Sequence, residues 1–136
     1  MAFGTATVLT NYGKGLSATQ VAGTTSTPPK YIAIGTGATT AARTAVAADT
    51  ALSTEYTAGT PNRATGTVTT QTTTQTNDTF QTVGTIQANG SIAVDEAGLF
   101  TVVTASTGTL CVSATFPVVN LLSGDSIQVT GKIQYT

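Results

Sequence analysis

From Ser126 to Thr136 the chain alternates cleanly, with Ile127, Val129, Gly131, Ile133 and Tyr135 on one parity and Gln128, Thr130, Lys132 and Gln134 on the other. A period of two sends one set into a core and the other into water, so the stretch predicts a strand whose buried face includes Tyr135. Phe80, Gly84, Ile86 and Ala88 form one face of another predicted strand. Asn89-Gly90 then predicts a type I′ hairpin into a strand carrying Ile92 and Val94, because both turn residues tolerate positive φ. Leu110, Val112, Ala114 and Phe116 make a further alternating face ended by Pro117. Ser106-Thr107-Gly108 supplies the turn that links it to a strand through Leu99 and Phe100. Tyr31, Ile32, Ala33 and Ile34 predict an earlier strand that leaves the sheet at Gly35-Thr36-Gly37.

The segment TGTVTTQTTTQ, between Ala64 and Gln75, is low in complexity and rich in a β-branched polar residue, which suits a pleated surface but adds little apolar area. It reads as a strand exposed on one side in preference to a linker. Residues 44–56, TAVAADTALSTEY, are the best helical candidate, with an Ala-rich loop holding one short turn of helix as the equally ordinary alternative, and a second short helix is expected near Asn11 to Ala22, limited by Gly13, Gly15 and Gly23. Many short strands with little helix predict an all-β fold: an antiparallel β-sandwich or jelly-roll-like barrel of about six to eight strands with at most one or two short helices. Residues 1–29, with four glycines and Pro28-Pro29 at the end, read as an amino-terminal arm, and residues 30–136 as the β domain.

Composition narrows the chemistry. Charged residues are 8% of the 136, and threonine supplies 33 positions. Five Lys+Arg against six Asp+Glu leave a net charge of −1 and no basic block, which argues against nucleic acid. Histidine and tryptophan are absent and cysteine occurs once, so neither a Ser-His-Asp triad nor a His/Cys metal site can be assembled. No enzyme activity and no cofactor are expected. Gly, Thr or Ser interrupts every apolar stretch well short of a membrane span, and no secretory signal precedes MAFGTATVLTNYGK. The mature chain is therefore expected to begin at Met1 and to be soluble.

Individual candidates read as structural. Asp95 and Glu96 are the adjacent carboxylates, but neighbours on a strand point to opposite faces, so Asp95 reads as a strand-end charge and Glu96 as the opening of a turn into Ala97-Gly98. Leu99 and Phe100 restart the sheet. Cys111 falls out of phase with Leu110 and Val112, which predicts a place on the less buried face and a spectator thiol. Glu55 and Arg63 are expected to pair across their loop, contributing under about 1 kcal/mol if exposed. Asn77-Asp78-Thr79 and Asn89-Gly90-Ser91 read as turns and not as glycosylation acceptors.

The order LTNYGKGL, YIAIGTG, TALSTEY, Arg63, VDEAGLF, TGTLCVSATF and SGDSIQVTGKI, covering nearly the whole chain, resembles tailed-bacteriophage virion proteins. It is similar to the amino-terminal attachment domains of phage tail fibres and, among small stand-alone versions, to head decoration (cement) proteins. The resemblance points to Asn11, Gly13, Lys14 and Leu16 in the first motif, to Glu55 and Arg63, and to Glu96, Gly98, Leu99 and Phe100 as structural or interaction residues. It implies a capsid decoration protein that bridges major capsid protein subunits, as a homo-oligomer with a trimer favoured. A tail component (baseplate, collar or fibre-attachment protein) is the alternative, and a glycan-binding adhesive module a second one. The expected location is the virion, on the capsid surface or the tail.

Overall fold

The computed structural model describes residues 6–24, 27–38 and 43–136, and within them the chain is an all-β sandwich of two antiparallel sheets with one short helix. The first sheet orders β1 (Ala6–Leu9), β8 (Val112–Leu121), β7 (Ile92–Phe100), β2 (Tyr31–Thr36) and β3 (Thr54–Glu55), with β4 (Ala64–Thr65) also on β2. The second orders β5 (Thr67–Gln71), β6 (Thr79–Gln87) and β9 (Ser126–Gln134). Nine strands among the described residues slightly exceed the expected number, because residues 54–65 contribute two very short ones.

β9 follows its alternation: Ile127, Val129, Gly131 and Ile133 are buried and the intervening residues are not. Tyr135 departs from it, lying beyond the last paired residue and half exposed. β2 is buried along both faces, and so is β7 from Val94 to Phe100. Ile32, Ile34, Val94 and Leu99 meet Ile86, Val129 and Ile133 between the sheets. On the outer face of the first sheet, Ala33 and Phe100 pack with Leu52 and Leu110. A strand covered on both sides reads as a continuous apolar run, which is why YIAIG shows no alternation.

The Asn89-Gly90 hairpin does not form. β6 pairs with β9 on one edge and β5 on the other, so both its edges are filled, and the chain after Gln87 crosses to the first sheet as β7. Neither Asn89 nor Gly90 has positive φ. Asn89 instead ties the crossing down, donating from Nδ2 to the Ala58 carbonyl at 2.7 Å and to the Thr60 hydroxyl at 2.8 Å. The link through Ser106-Thr107-Gly108 does join antiparallel neighbours β7 and β8, with Ser106 and Gly108 at φ 58° and 73°. Pro117 does not end β8: the register breaks between Val94 and Glu96, residues 116–118 stand opposite Asp95 alone, and pairing resumes at Val119. An irregularity of this kind is where a strand accepts a residue without an N–H. TGTVTTQ forms β4 and β5, the latter exposed along its length.

Residues 44–56 are not helical. The segment is an extended strap ending in β3, and its backbone bonds go across the sheet, Leu110 N–H to the Thr50 carbonyl and Tyr56 N–H to that of Ile34. The expected second helix is present as α1 (Asn11–Val21). Thr10 caps it by accepting from the Gly13 N–H at 3.0 Å, and Gly23 at φ 71° ends it, with Gly23 N–H on the Gln20 carbonyl and Thr24 N–H on that of Thr19. Residues 6–24 are not an arm beside the domain. β1 pairs in register with β8 over four residues, and Thr10 is fully buried. Residues 1–5 and 25–26 of the expected arm lie outside the described residues.

Candidate functional site

Three internal contacts tie the segments together, and the first two are built on the arginines. In the first, the Arg63 guanidinium binds Glu55 through both carboxylate oxygens, Nε to Oε1 at 2.6 Å and Nη2 to Oε2 at 2.8 Å, while Nη1 donates to the Val102 carbonyl at 2.9 Å. Ser106 N–H adds a fourth bond, to Glu55 Oε2 at 2.9 Å. The guanidinium also stacks on the Phe100 ring, 3.7 Å from its centroid. The pair is buried, Arg63 being 2% exposed, so it lies outside the range of exposed pairs. It closes one wall of a cleft of about 260 Å³ that also runs past Leu52 and Thr107. The guanidinium donors that line it already have acceptors, so the cleft offers a ligand no spare charge.

Arg43 anchors the second contact. It donates from Nε to the Ser53 hydroxyl at 2.9 Å, from Nη1 to Asp49 Oδ2 at 2.7 Å and from Nη2 to Glu96 Oε2. Asp49 also accepts from the Ser113 hydroxyl at 2.6 Å and the Val46 N–H at 3.0 Å, and Glu96 Oε1 accepts from the Thr54 N–H at 3.0 Å. Burial pulls the Arg43 pKa down, but Glu96 and Asp49 outweigh it and hold the group above its ordinary value. Burial likewise pushes Asp49 up, and the Ser113 hydroxyl, the Val46 N–H and Arg43 overcome it, leaving the carboxyl below the usual range. Asp95 and Glu96 are therefore neither a strand end nor a turn: both are buried in the middle of β7, Asp95 accepting from the Ala38 N–H at 3.1 Å.

The third contact joins α1 to the sheet. Thr10 donates to the Leu110 carbonyl at 2.5 Å, and a Cβ added to Gly13 would stand 2.1 Å from the Cys111 carbonyl oxygen. Glycine is what lets the helix backbone approach β8 that closely. Cys111 is fully buried and not on the less covered face, its backbone bonded to the Thr10 N–H ahead of α1 and to the Leu99 carbonyl of β7. Burial pushes its thiol up to about 12, far from a reactive thiolate.

Of the residues singled out by sequence, Glu55, Arg63 and Phe100 come together, Glu96 joins Arg43, and Gly13 sits at the helix-sheet contact. Gly98 is buried with Leu110 pressed on it: an added Cβ would lie 2.2 Å from Leu110 Cδ1. Leu99 fills the core between the sheets. Asn11 and Lys14 are exposed on α1, and Leu16 borders a shallow apolar groove with Tyr12 and Thr19. Arg43, Asp49, Ser113 and Thr10 were not singled out. In a chain with two arginines, Arg43 had a signal in its rarity alone. Among the described residues, no three of His, Cys, Asp and Glu converge as a metal-ligand set. No family model, no curated protein and no solved structure matches the chain.

Proposed function

We propose that this chain is a structural protein of a tailed-bacteriophage virion, a capsid decoration protein that bridges neighbouring major capsid protein subunits. The observation that carries the reading is where the charges lie. All six carboxylates accept intramolecular hydrogen bonds: Asp49 and Glu96 from Arg43, Glu55 from Arg63 and Asp95 from Ala38 within the fold, and Asp78 from the loop 73–75 and Asp125 from Leu122 at the surface. Both arginines are bound to them, which leaves three lysines, Lys14, Lys30 and Lys132, as the remaining charged side chains. Among the described residues threonine is the commonest exposed one, and nearly all the other exposed residues are uncharged. Such a surface loses little on desolvation when it meets a neighbour, whereas unpaired charges would cost several kcal/mol each. An interface of standard size buries on the order of 1,600 Å², and repetition over a shell turns modest contacts into avidity. The ordered motifs from LTNYGKGL to SGDSIQVTGKI support the phage assignment.

A tail component is the second reading, favoured by the VDEAGLF segment, whose Glu96 and Phe100 take the two arginines. Copy number separates the two readings. In purified virions of the phage that encodes the chain, a decoration protein is present at a level comparable with the major capsid protein, and a tail part far below it. Labelled protein seen by electron microscopy on capsid surfaces supports the first reading. Absence from the particles, together with signal on a glycan array, replaces both with an adhesive module.

A further inference from the structure

We propose that the outer edge of β5 is a self-association surface that takes the same strand of a second copy of this chain, antiparallel, across a two-fold axis. β5 ends its sheet: β6 holds one edge, and among the described residues no strand pairs with the other. Proteins keep such edges from pairing with charge, proline, a bulge or extreme shortness. Those devices are present at the other edges of this sandwich. β9 carries Lys132, β8 carries Pro117 beyond its pairing with β1, and β1 and β3 are four and two residues long. β5 has none of the first three. From Ala64 to Asn77 there is no charged residue and no proline, and its register with β6 runs unbroken from Thr67 opposite Val83 to Gln71 opposite Thr79.

The side chains indicate the occupant. Val68 stands opposite Thr82 and Thr70 opposite Phe80, on the sheet face that carries the core. Thr82 is fully buried, yet Val68 is 39% exposed, so the core-facing side of β5 runs past the cover of the first sheet. A second β5 centred on Thr69 sets Val68 opposite Thr70 of the copy, two β-branched residues of equal size, and Thr67 opposite its Gln71, two uncharged polar ones. Charge decides against a foreign charged strand. Lys or Glu brought to this edge would be desolvated with no counter-charge within β5, while a copy brings none. The arrangement is isologous and makes one six-stranded sheet, β9-β6-β5 continuing into its own reverse. It holds whether or not the chain belongs to a virion.

Sedimentation equilibrium of the purified chain, beside Val68→Lys, tests it, with far-UV circular dichroism verifying that the variant is folded. The native chain is expected at twice 13.6 kDa, and Val68→Lys is expected to self-associate at least tenfold more weakly. Oxidation of Thr69→Cys is expected to give a covalent dimer faster than Ser126→Cys on the β9 edge, with buried Cys111 taking no part. A native chain that stays monomeric at the highest concentration reached overturns the proposal. So does an oligomer that Val68→Lys leaves unchanged, or cross-linking at Thr69→Cys no faster than at Ser126→Cys.

Discussion

Arg63 lies over the face of Phe100, 3.7 Å from the ring centroid, while both its outer edges are hydrogen-bonded to Glu55 and to the Val102 carbonyl. The stack joins a loop residue to the end of β7, and the bidentate pair joins that loop to β3. One planar cation thus holds its own loop, β3 and the end of β7 together, a geometry that an ammonium group does not reproduce.

Arg63→Ala is therefore expected to destabilise the fold by about 3 kcal/mol, since it strands a largely buried Glu55 and uncovers Phe100. Arg63→Lys is expected to recover less than half of that loss, because it keeps the charge without the fork. Urea denaturation of the three proteins checks both. Equal stability of Arg63→Ala and the native chain would show that the contact is incidental.

Two glycines of α1 are expected to respond oppositely to alanine. At Gly13 the new Cβ meets the Cys111 carbonyl oxygen at 2.1 Å and Leu9 Cδ1 at 2.7 Å, so the helix must move off β8 and stability falls. At Gly15 the Cβ meets nothing within 4 Å, and the substitution is expected to stabilise by up to about 1 kcal/mol through helix propensity. Thermal melts of the two variants give the signs directly.

The Thr82 hydroxyl is buried with no hydrogen-bond partner among the described residues, pressed toward Gly66. Thr82→Val keeps the shape and removes the orphaned group, so stability is expected to rise by about 1 kcal/mol. A decrease in the denaturation midpoint would mean that the hydroxyl has a partner after all.

Acid stability follows from the depressed carboxyls. Asp78 is held well below the usual range by the Gln75, Thr73 and Thr74 N–H groups and the Thr79 hydroxyl, and Asp49 is lowered as well. A carboxyl whose pKa is lower folded than unfolded adds stability above its unfolded value of about 3.9, and that stability is lost as pH falls through the folded value. With no histidine, the unfolding free energy should change little between about pH 5 and 7 and decline below about pH 4. Asp78→Asn should flatten the decline, as measured by urea titrations at successive pH values.

The Cys111 thiol, with a pKa raised to about 12, is expected to resist iodoacetamide at pH 8 in the folded chain and to react at the rate of a free cysteine in urea. Mass spectrometry follows the adduct. Rapid labelling of the native protein would show that α1 lifts from β8 under native conditions.

The alternation of β9, the apolar run of β2 and the glycine that ends it, and the short helix at Asn11 were legible because each depends on neighbours a few residues away. The Asn89-Gly90 turn misled because its two flanking strands belong to different sheets. A local hairpin signal loses when other pairings already fill both edges, here β6 with β9 over nine residues and with β5 over five. Residues 44–56 misled for a related reason: their helix propensity is worth tenths of a kcal/mol per residue, and bonds to β2, β8 and Arg43 outweigh it. Glu55 and Arg63 were readable as a pair because eight residues separate them. Glu96 and Arg43, fifty-three apart, were not.

By itself the sequence determined the chemistry available to this protein: mostly β structure, few charges, no histidine, one cysteine, and a threonine-rich strand without a charged guard. Only the tertiary structure decided which strands neighbour one another, that four of the six carboxylates are turned inward onto arginines and backbone N–H groups, and which edge is left open. Composition and periodicity are local properties of the chain. Strand order and charge pairing are settled by which distant segments bury the most surface together, and that selection is made only when the two sheets close on a common core.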